Sequence, residues 1–159
     1  VPRRPLPALL AGIPALVLVA LAGACTPTIA VDAAPDAANP ACAPVMLALP
    51  PTLAGDLEKA RTTSQATAAW GTGGAAVTLR CGVELPGPSA DCQQVESAKG
   101  TVDWIVQAGD DGTWRFTTYG RDPAVEVTIP GTVRETHSSS FVADLAQAVG
   151  LVEATKTCT

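Results

Sequence analysis

Few residues in this chain have types and spacings that could do chemistry. The single histidine, His137, is followed by Ser138, Ser139 and Ser140. Imidazole beside hydroxyl suggests nucleophilic hydrolysis. That reaction also needs an orienting acid and an oxyanion hole, and the sequence holds no GxSxG turn. A nucleophile and base so close in one loop seldom form a working pair, so His137 reads as a loop residue beside a helix cap. Asp110 and Asp111 could bind a metal or act as acid and base, but they lie between two strand-like runs and precede Gly112, which makes them turn residues. Gly71-Thr-Gly-Gly74 lacks the lysine and the strand-then-helix context of a phosphate loop and reads as a turn. No catalytic, cofactor-binding or metal-binding residue is assigned, and the chain is not expected to be an enzyme.

The five cysteines, Cys25, Cys42, Cys81, Cys92 and Cys158, carry more information. No CxxC occurs, so four of them are expected to be disulfide partners rather than zinc ligands. An odd count in an exported chain leaves one thiol over. Residues 1–24 supply the export reading: Arg3 and Arg4 form a basic start, Leu9 to Leu21 an apolar stretch, and small residues follow. Leu21-Ala22-Gly23-Ala24-Cys25 resembles a bacterial lipobox, in which the cysteine is lipidated and becomes the first mature residue. The expectation is a signal peptide over 1–24, a lipid on Cys25, and a protein on the outer face of the cytoplasmic membrane. Ordinary signal peptidase cleavage, giving a secreted protein, and a retained N-terminal membrane anchor are the alternatives.

Composition bounds the rest. With 159 residues, 47% of them hydrophobic, there is room for one domain. The net charge is −5 and no basic patch stands out, which argues against a nucleic-acid partner. Residues 25–41, rich in Ala, Pro and Thr without apolar periodicity, are expected to be a flexible tether, with a single globular domain over 42–159.

Within that domain the clearest pattern runs from Thr101 to Pro130. Val102, Trp104 and Val106, then Trp114 and Phe116, then Val125, Val127 and Ile129 alternate with mostly polar residues across two turns. An earlier run, Val77, Leu79, Cys81 and Val83, shares one face opposite Thr78 and Arg80, and a short strand is expected around Cys92 to Glu96. Cys42, Val45, Met46 and Leu49 have helical spacing before Pro50-Pro51. Phe141, Leu145 and Val149 recur at i, i+4 and i+8 after a capping Ser139 or Ser140, ending at Gly150. Thr52 to Trp70 is ambiguous: Gly55 interrupts it, and Arg61 to Trp70 resembles a polar crossing segment. The expected fold class is α+β: an antiparallel meander sheet of four to five strands, with a short N-terminal helix and a C-terminal helix packed on one face.

Six short motifs then occur in order: Cys42…Leu49-Pro50, Ala69-Trp70-Gly71, Leu79-Arg80-Cys81-Gly82-Val83, Val102-Asp103-Trp104, Phe116-Thr117-Thr118-Tyr119-Gly120-Arg121, and Val125-Glu126-Val127. With them, Cys42 to about Gly150 resembles an actinobacterial family of exported proteins, the domain of unknown function 3515. The resemblance implies a signal or lipoprotein N-terminus and one small domain, and it implies no activity. Cys42 and Cys81 fall within the family's motifs; Cys92 and Cys158 do not. If the Cys42 helical stripe packs on the Cys81 face, Cys42 pairs with Cys81 and Cys92 with Cys158. The local pair Cys81–Cys92 is the alternative.

The expected function is a non-catalytic binding or structural role in the cell envelope, with a protein or envelope polymer as partner. The polar sheet face bearing Arg80, Arg115, Tyr119 and Arg121 is the candidate binding surface. A small-ligand carrier with a helix/sheet pocket is the alternative, and an envelope hydrolase a more distant one. Trp70 and Tyr119 would matter for sugar stacking only if exposed.

Overall fold

The alternating runs between Thr101 and Pro130 form three neighbouring antiparallel strands, but they are part of a much larger sheet. The computed structural model describes residues 27–159, and the stretch expected to be a signal peptide and Cys25 lie outside the described residues. The strands are β1 (Thr28–Ile29), β2 (Thr52–Leu53), β3 (Leu57–Thr62), β4 (Thr67–Trp70), β5 (Val77–Val83), β6 (Cys92–Ser97), β7 (Gly100–Ala108), β8 (Trp114–Thr118) and β9 (Ala124–Ile129). They assemble in the order β1-β3-β4-β5-β9-β8-β7-β6, with β2 paired to β3 off this path. β1 runs parallel to β3 and the remaining pairs are antiparallel.

The expected α+β fold with a four-to-five-strand meander is therefore corrected to a mostly-sheet fold built on a mixed sheet of nine strands. The ambiguous segment from Thr52 to Trp70 supplies three of them. β4, Thr67-Ala-Ala-Trp70, is buried on both faces, so it shows no alternation, and alanine has little strand propensity. β3 is polar because it lies toward the sheet edge. Gly55, with φ +88°, does not merely interrupt this segment: with Ala54 it makes the tight turn from β2 to β3.

The C-terminal helix is also corrected. Residues 139–145 form a 3-10 turn capped by the Ser138 hydroxyl, which accepts the Ser140 N–H, and only Ala146–Val149 (α3) is α-helical. Serines, an aromatic and a β-branched residue give this stretch weak α-propensity, and burial of Phe141, Val142, Leu145 and Val149 holds it instead. The other helices are α1 (Cys42–Ala48), which stops before Pro50, and α2 (Gly131–Arg134). α1, α3 and the 3-10 turn share one core cluster with the sheet face bearing Leu79, Val125, Val127, Ile129, Trp104 and Phe116.

Two disulfides are present, Cys42–Cys81 and Cys92–Cys158, with Cα separations of 5.8 Å and 5.6 Å. The first ties α1 to the middle of β5. The second ties the edge strand β6 to the tail.

The expected tether is corrected for residues 28–41, which belong to the fold. Val31, Ala34 and Ala37 are buried, β1 pairs with β3, and the Asp36 N–H donates to the Gly82 carbonyl at 2.9 Å. Gly82 permits this approach: its φ is +89°, and a Cβ there would sit 2.3 Å from the Asp36 oxygen. The register shifts at this point, so Val83 pairs with Ala124 rather than continuing the series of Cys81 opposite Val125. That bulge moves Val83 off the core face and into a second, smaller cluster with Ala34, Ala37 and Ala124.

Candidate functional site on the outer sheet face

The face of the sheet away from the helices carries the polar residues of the alternating strands. The ladders align Thr67, Arg80, Glu126, Thr117 and Ile105 as direct neighbours across β4, β5, β9, β8 and β7. Glu126 is the centre of this row and is 8% exposed. Its Oε1 accepts from Arg80 Nη2 at 2.7 Å and Nε at 3.1 Å, and its Oε2 lies 3.3 Å from Arg115 Nε. One carboxylate thus meets two guanidinium groups, with Arg80 donating twice to a single oxygen. Arg115, whose side chain is 51% exposed, makes its closest approach to Glu126 at Nε.

These residues floor an open groove of about 420 Å³ together with Thr117 and Gln107. Pro35, from the packed N-terminal segment, and Leu85-Pro86, from the loop after β5, form its walls. Gln107 and Arg115 continue it into a second depression at the β7–β8 turn. There Asp111 Oδ1 accepts the Thr113 N–H at 3.0 Å, and that bond holds the Asp111 carboxyl below its usual range.

The four residues expected on one binding face are split between two places. Arg80 and Arg115 lie in the groove. Tyr119 and Arg121 lie beyond Leu85-Pro86, which line both the groove and a separate small pocket containing Tyr119 and Arg121. Both are buried, at 9% and 8% exposed. Arg121 fastens the tail: Nη1 donates to the Val152 carbonyl, Nη2 donates to the Thr101 carbonyl at 3.2 Å, and Arg121 forms an isolated bridge with Ala154. Burial pulls the Arg121 pKa below its usual value, and Asp103 opposes that shift. Gly120 makes room for the same tail, since a Cβ at its φ of +72° would fall 2.1 Å from the Lys156 oxygen.

Glu126 is the functional residue that the sequence reading missed. Its signal was available, because it alternates with Val125 and Val127 and so shares the polar side with Arg115. Pro35, Leu85 and Pro86 offered no periodic signal at all.

The remaining candidates are placed as follows. His137 Nε2 lies 3.0 Å from Asp56 Oδ1 and Nδ1 lies 2.8 Å from Thr136 Oγ1, which resembles a hydroxyl–imidazole–acid relay. The Thr136 hydroxyl also lies 3.2 Å from the Val133 carbonyl, to which it can donate its single proton, and the three residues line none of the grooves above. Trp70 and Trp104 are fully buried, and Trp114 lies half-buried under the Arg134 guanidinium, 3.8 Å from its ring centroid. Among the described residues no exposed aromatic platform for sugar stacking exists. The space between helices and sheet is filled by side chains such as Val45, Leu79, Val127 and Val149, all at 0% exposure, so the helix/sheet pocket of a carrier finds no support. No group of three His, Cys, Asp or Glu residues placed to hold a metal ion occurs among the described residues, nor does any helix there have the length and apolarity to cross a membrane.

No curated protein and no solved structure matches the chain. A family model described as "Protein of unknown function (DUF3515)" matches residues 6–157. The chain belongs to this family.

Proposed function

We propose that this protein is an exported, non-catalytic envelope protein, anchored by a lipid on Cys25 to the outer face of the cytoplasmic membrane, that docks an extended peptide segment of another protein. The observation that carries the docking reading is the groove itself, where a fixed Arg80–Glu126–Arg115 cluster meets an apolar wall of Pro35, Leu85 and Pro86. The half-exposed guanidinium of Arg115 beside proline and leucine suits a segment with apolar residues and a carboxylate. The absence of exposed aromatic rings among the described residues favours a protein over an envelope glycan. Two disulfides favour an oxidising compartment and hence export.

A photo-crosslinking residue in place of Leu85, activated in membranes, tests the docking. Discrete adducts that disappear on Arg115→Ala support it. Adducts that match those from exposed Leu47, or that ignore Arg115→Ala, overturn it. For the anchor, Cys25→Ser should abolish lipid labelling and detergent partitioning; an unchanged mass and partitioning would rule the anchor out.

A further inference from the structure

The helix α1 reads Cys-Ala-Pro-Val-Met-Leu-Ala and carries no charged side chain. Cys42 and Val45 are buried, while Ala43, Pro44 and Leu47 are exposed. Leu47, at 87% exposure, is the most exposed large apolar residue among the described residues. A helix on a water-facing surface ordinarily has polar residues on its outer side, and one that is apolar all round belongs in an apolar phase. The surroundings do not compensate. From Ala37 to Gly55 the sequence has no charged residue. An open trough of about 500 Å³ runs beside α1, lined by Pro40, Ala43, Met46, Leu47 and Ala66, with Asn39 and Gln65 as its polar members.

The start of the described chain says what covers this surface. β1 pairs with the end of β3, and the turn after β3 is fastened to it. The Thr63 N–H donates to the Ile29 carbonyl at 3.2 Å, and the Val31 N–H donates to the Thr63 hydroxyl at 3.1 Å. Gln65 and Ala66, next along that turn, line the trough. Cys25 precedes Thr28 by three residues, a span of at most about 11 Å. A lipid on Cys25 therefore brings the bilayer to this edge of the sheet rather than to β6 at the other.

We propose that the exposed face of α1 rests on the bilayer, with Leu47 inserted at the boundary of headgroups and acyl chains as a second contact. The proposal rests on the lipid-anchor reading. One apolar face of this size is too small to hold a free protein on a membrane. The tether makes the encounter intramolecular and keeps the local concentration high, so a small contact suffices to orient the domain. Because neither α1 nor the trough is charged, the contact needs no anionic lipid and resists salt.

The test uses the full lipidated chain in phosphatidylcholine vesicles with brominated acyl chains, and an environment-sensitive fluorescent residue in place of Ala43. Ala43 is exposed and lines the trough. A control carries the same probe at Ala98, exposed in the turn between β6 and β7 at the far edge of the sheet. Bromolipid should quench the probe at position 43 and not at position 98, at low and high salt alike. Leu47→Glu, a change at an exposed position, should abolish that quenching while the chain still floats with the vesicles. Equal quenching at both positions, quenching removed by salt, quenching indifferent to Leu47→Glu, or none at all would each overturn the proposal. Absent quenching with photo-crosslinks between two copies through Leu47 would assign the surface to a second copy instead. Flotation without quenching removes only the membrane contact; failure to float removes the lipid anchor and, with it, the contact that depends on it.

Discussion

The two faces of the sheet are built from the same strands and obey different rules. On the inner face, Leu79, Val127 and Trp104 are fully buried and pack against α1, the 3-10 turn and α3. On the outer face, their sequence neighbours Arg80, Glu126 and Asp103 are held by ion pairs and side-chain hydrogen bonds. What covers that face comes from aperiodic parts of the chain: residues 31–37, Leu85-Pro86 and the tail after Leu151. Each face also has its own disulfide. Cys42–Cys81 is sealed in the core, and Cys92–Cys158 is partly exposed, with Cys92 opposite Ile105 on the outer side. Burial without charged groups fixes the inner face, whereas the outer face keeps charged groups that a purely stabilising surface would not need.

Removing the disulfides should separate the two faces most strongly. They close loops of 39 and 66 residues, for which chain entropy alone gives about 4 kcal/mol each, slightly more for the longer loop. Cys42→Ala with Cys81→Ala should nonetheless destabilise more than Cys92→Ser with Cys158→Ser, because it also opens space in the core. Denaturant unfolding of the two double variants measures this directly. The reverse order would mean that the tail, rather than the α1–β5 junction, holds the fold together.

Leu145→Ala comes next. Leu145 is fully buried in the 3-10 turn, so the truncation should cost about 2–5 kcal/mol. A loss below about half a kilocalorie would show that the C-terminal segment is not docked on the inner face. Glu126→Gln, the central outer-face change, should cost less, roughly 1–3 kcal/mol, because it leaves two guanidinium groups with a neutral partner while keeping the shape. Equal losses at Leu145 and Glu126 would make the outer face a second core and weaken the case for a binding surface there.

How far the sequence could be read follows the same division. The alternation in Val102–Val106, Trp114–Phe116 and Val125–Ile129 located strands whose inner face is wholly apolar, because period-two burial writes itself into residue type. Thr67-Ala-Ala-Trp70 hid a strand because burial on both faces removes that period. Val83 was assigned to the wrong face because one bulge at Gly82 inverts the parity after it, and a glycine alone does not announce a bulge. The segment around Val31 to Ala37 read as a tether because its few small buried side chains resemble a flexible composition. Arg80 and Arg115 were legible as outer-face residues, but their union through Glu126 needed the pairing of β5, β9 and β8, and strand order is not written in local periodicity. Tyr119 and Arg121 were expected on the open polar face, yet both are buried beside it, because the tail that covers them lies more than thirty residues further on.

The smallest stability effect is the one with the greatest bearing on function. Arg115 is half exposed and touches Glu126 through a single nitrogen at 3.3 Å, so its ion pair is solvent-screened and weak. Arg115→Ala should therefore change unfolding stability by no more than about 0.5 kcal/mol. The same substitution removes the more exposed guanidinium of the Arg80–Glu126–Arg115 cluster, so Leu85 crosslinking should be lost while the fold is kept. Measured side by side with Glu126→Gln, this pair distinguishes a residue that holds the face together from one that offers it to a partner. If Arg115→Ala destabilises as much as Glu126→Gln, the two arginines are equivalent braces and the exposure of Arg115 has no separate role. If it leaves both stability and crosslinking intact, the docked segment does not use a guanidinium, and only the apolar wall of Pro35, Leu85 and Pro86 remains to recognise it.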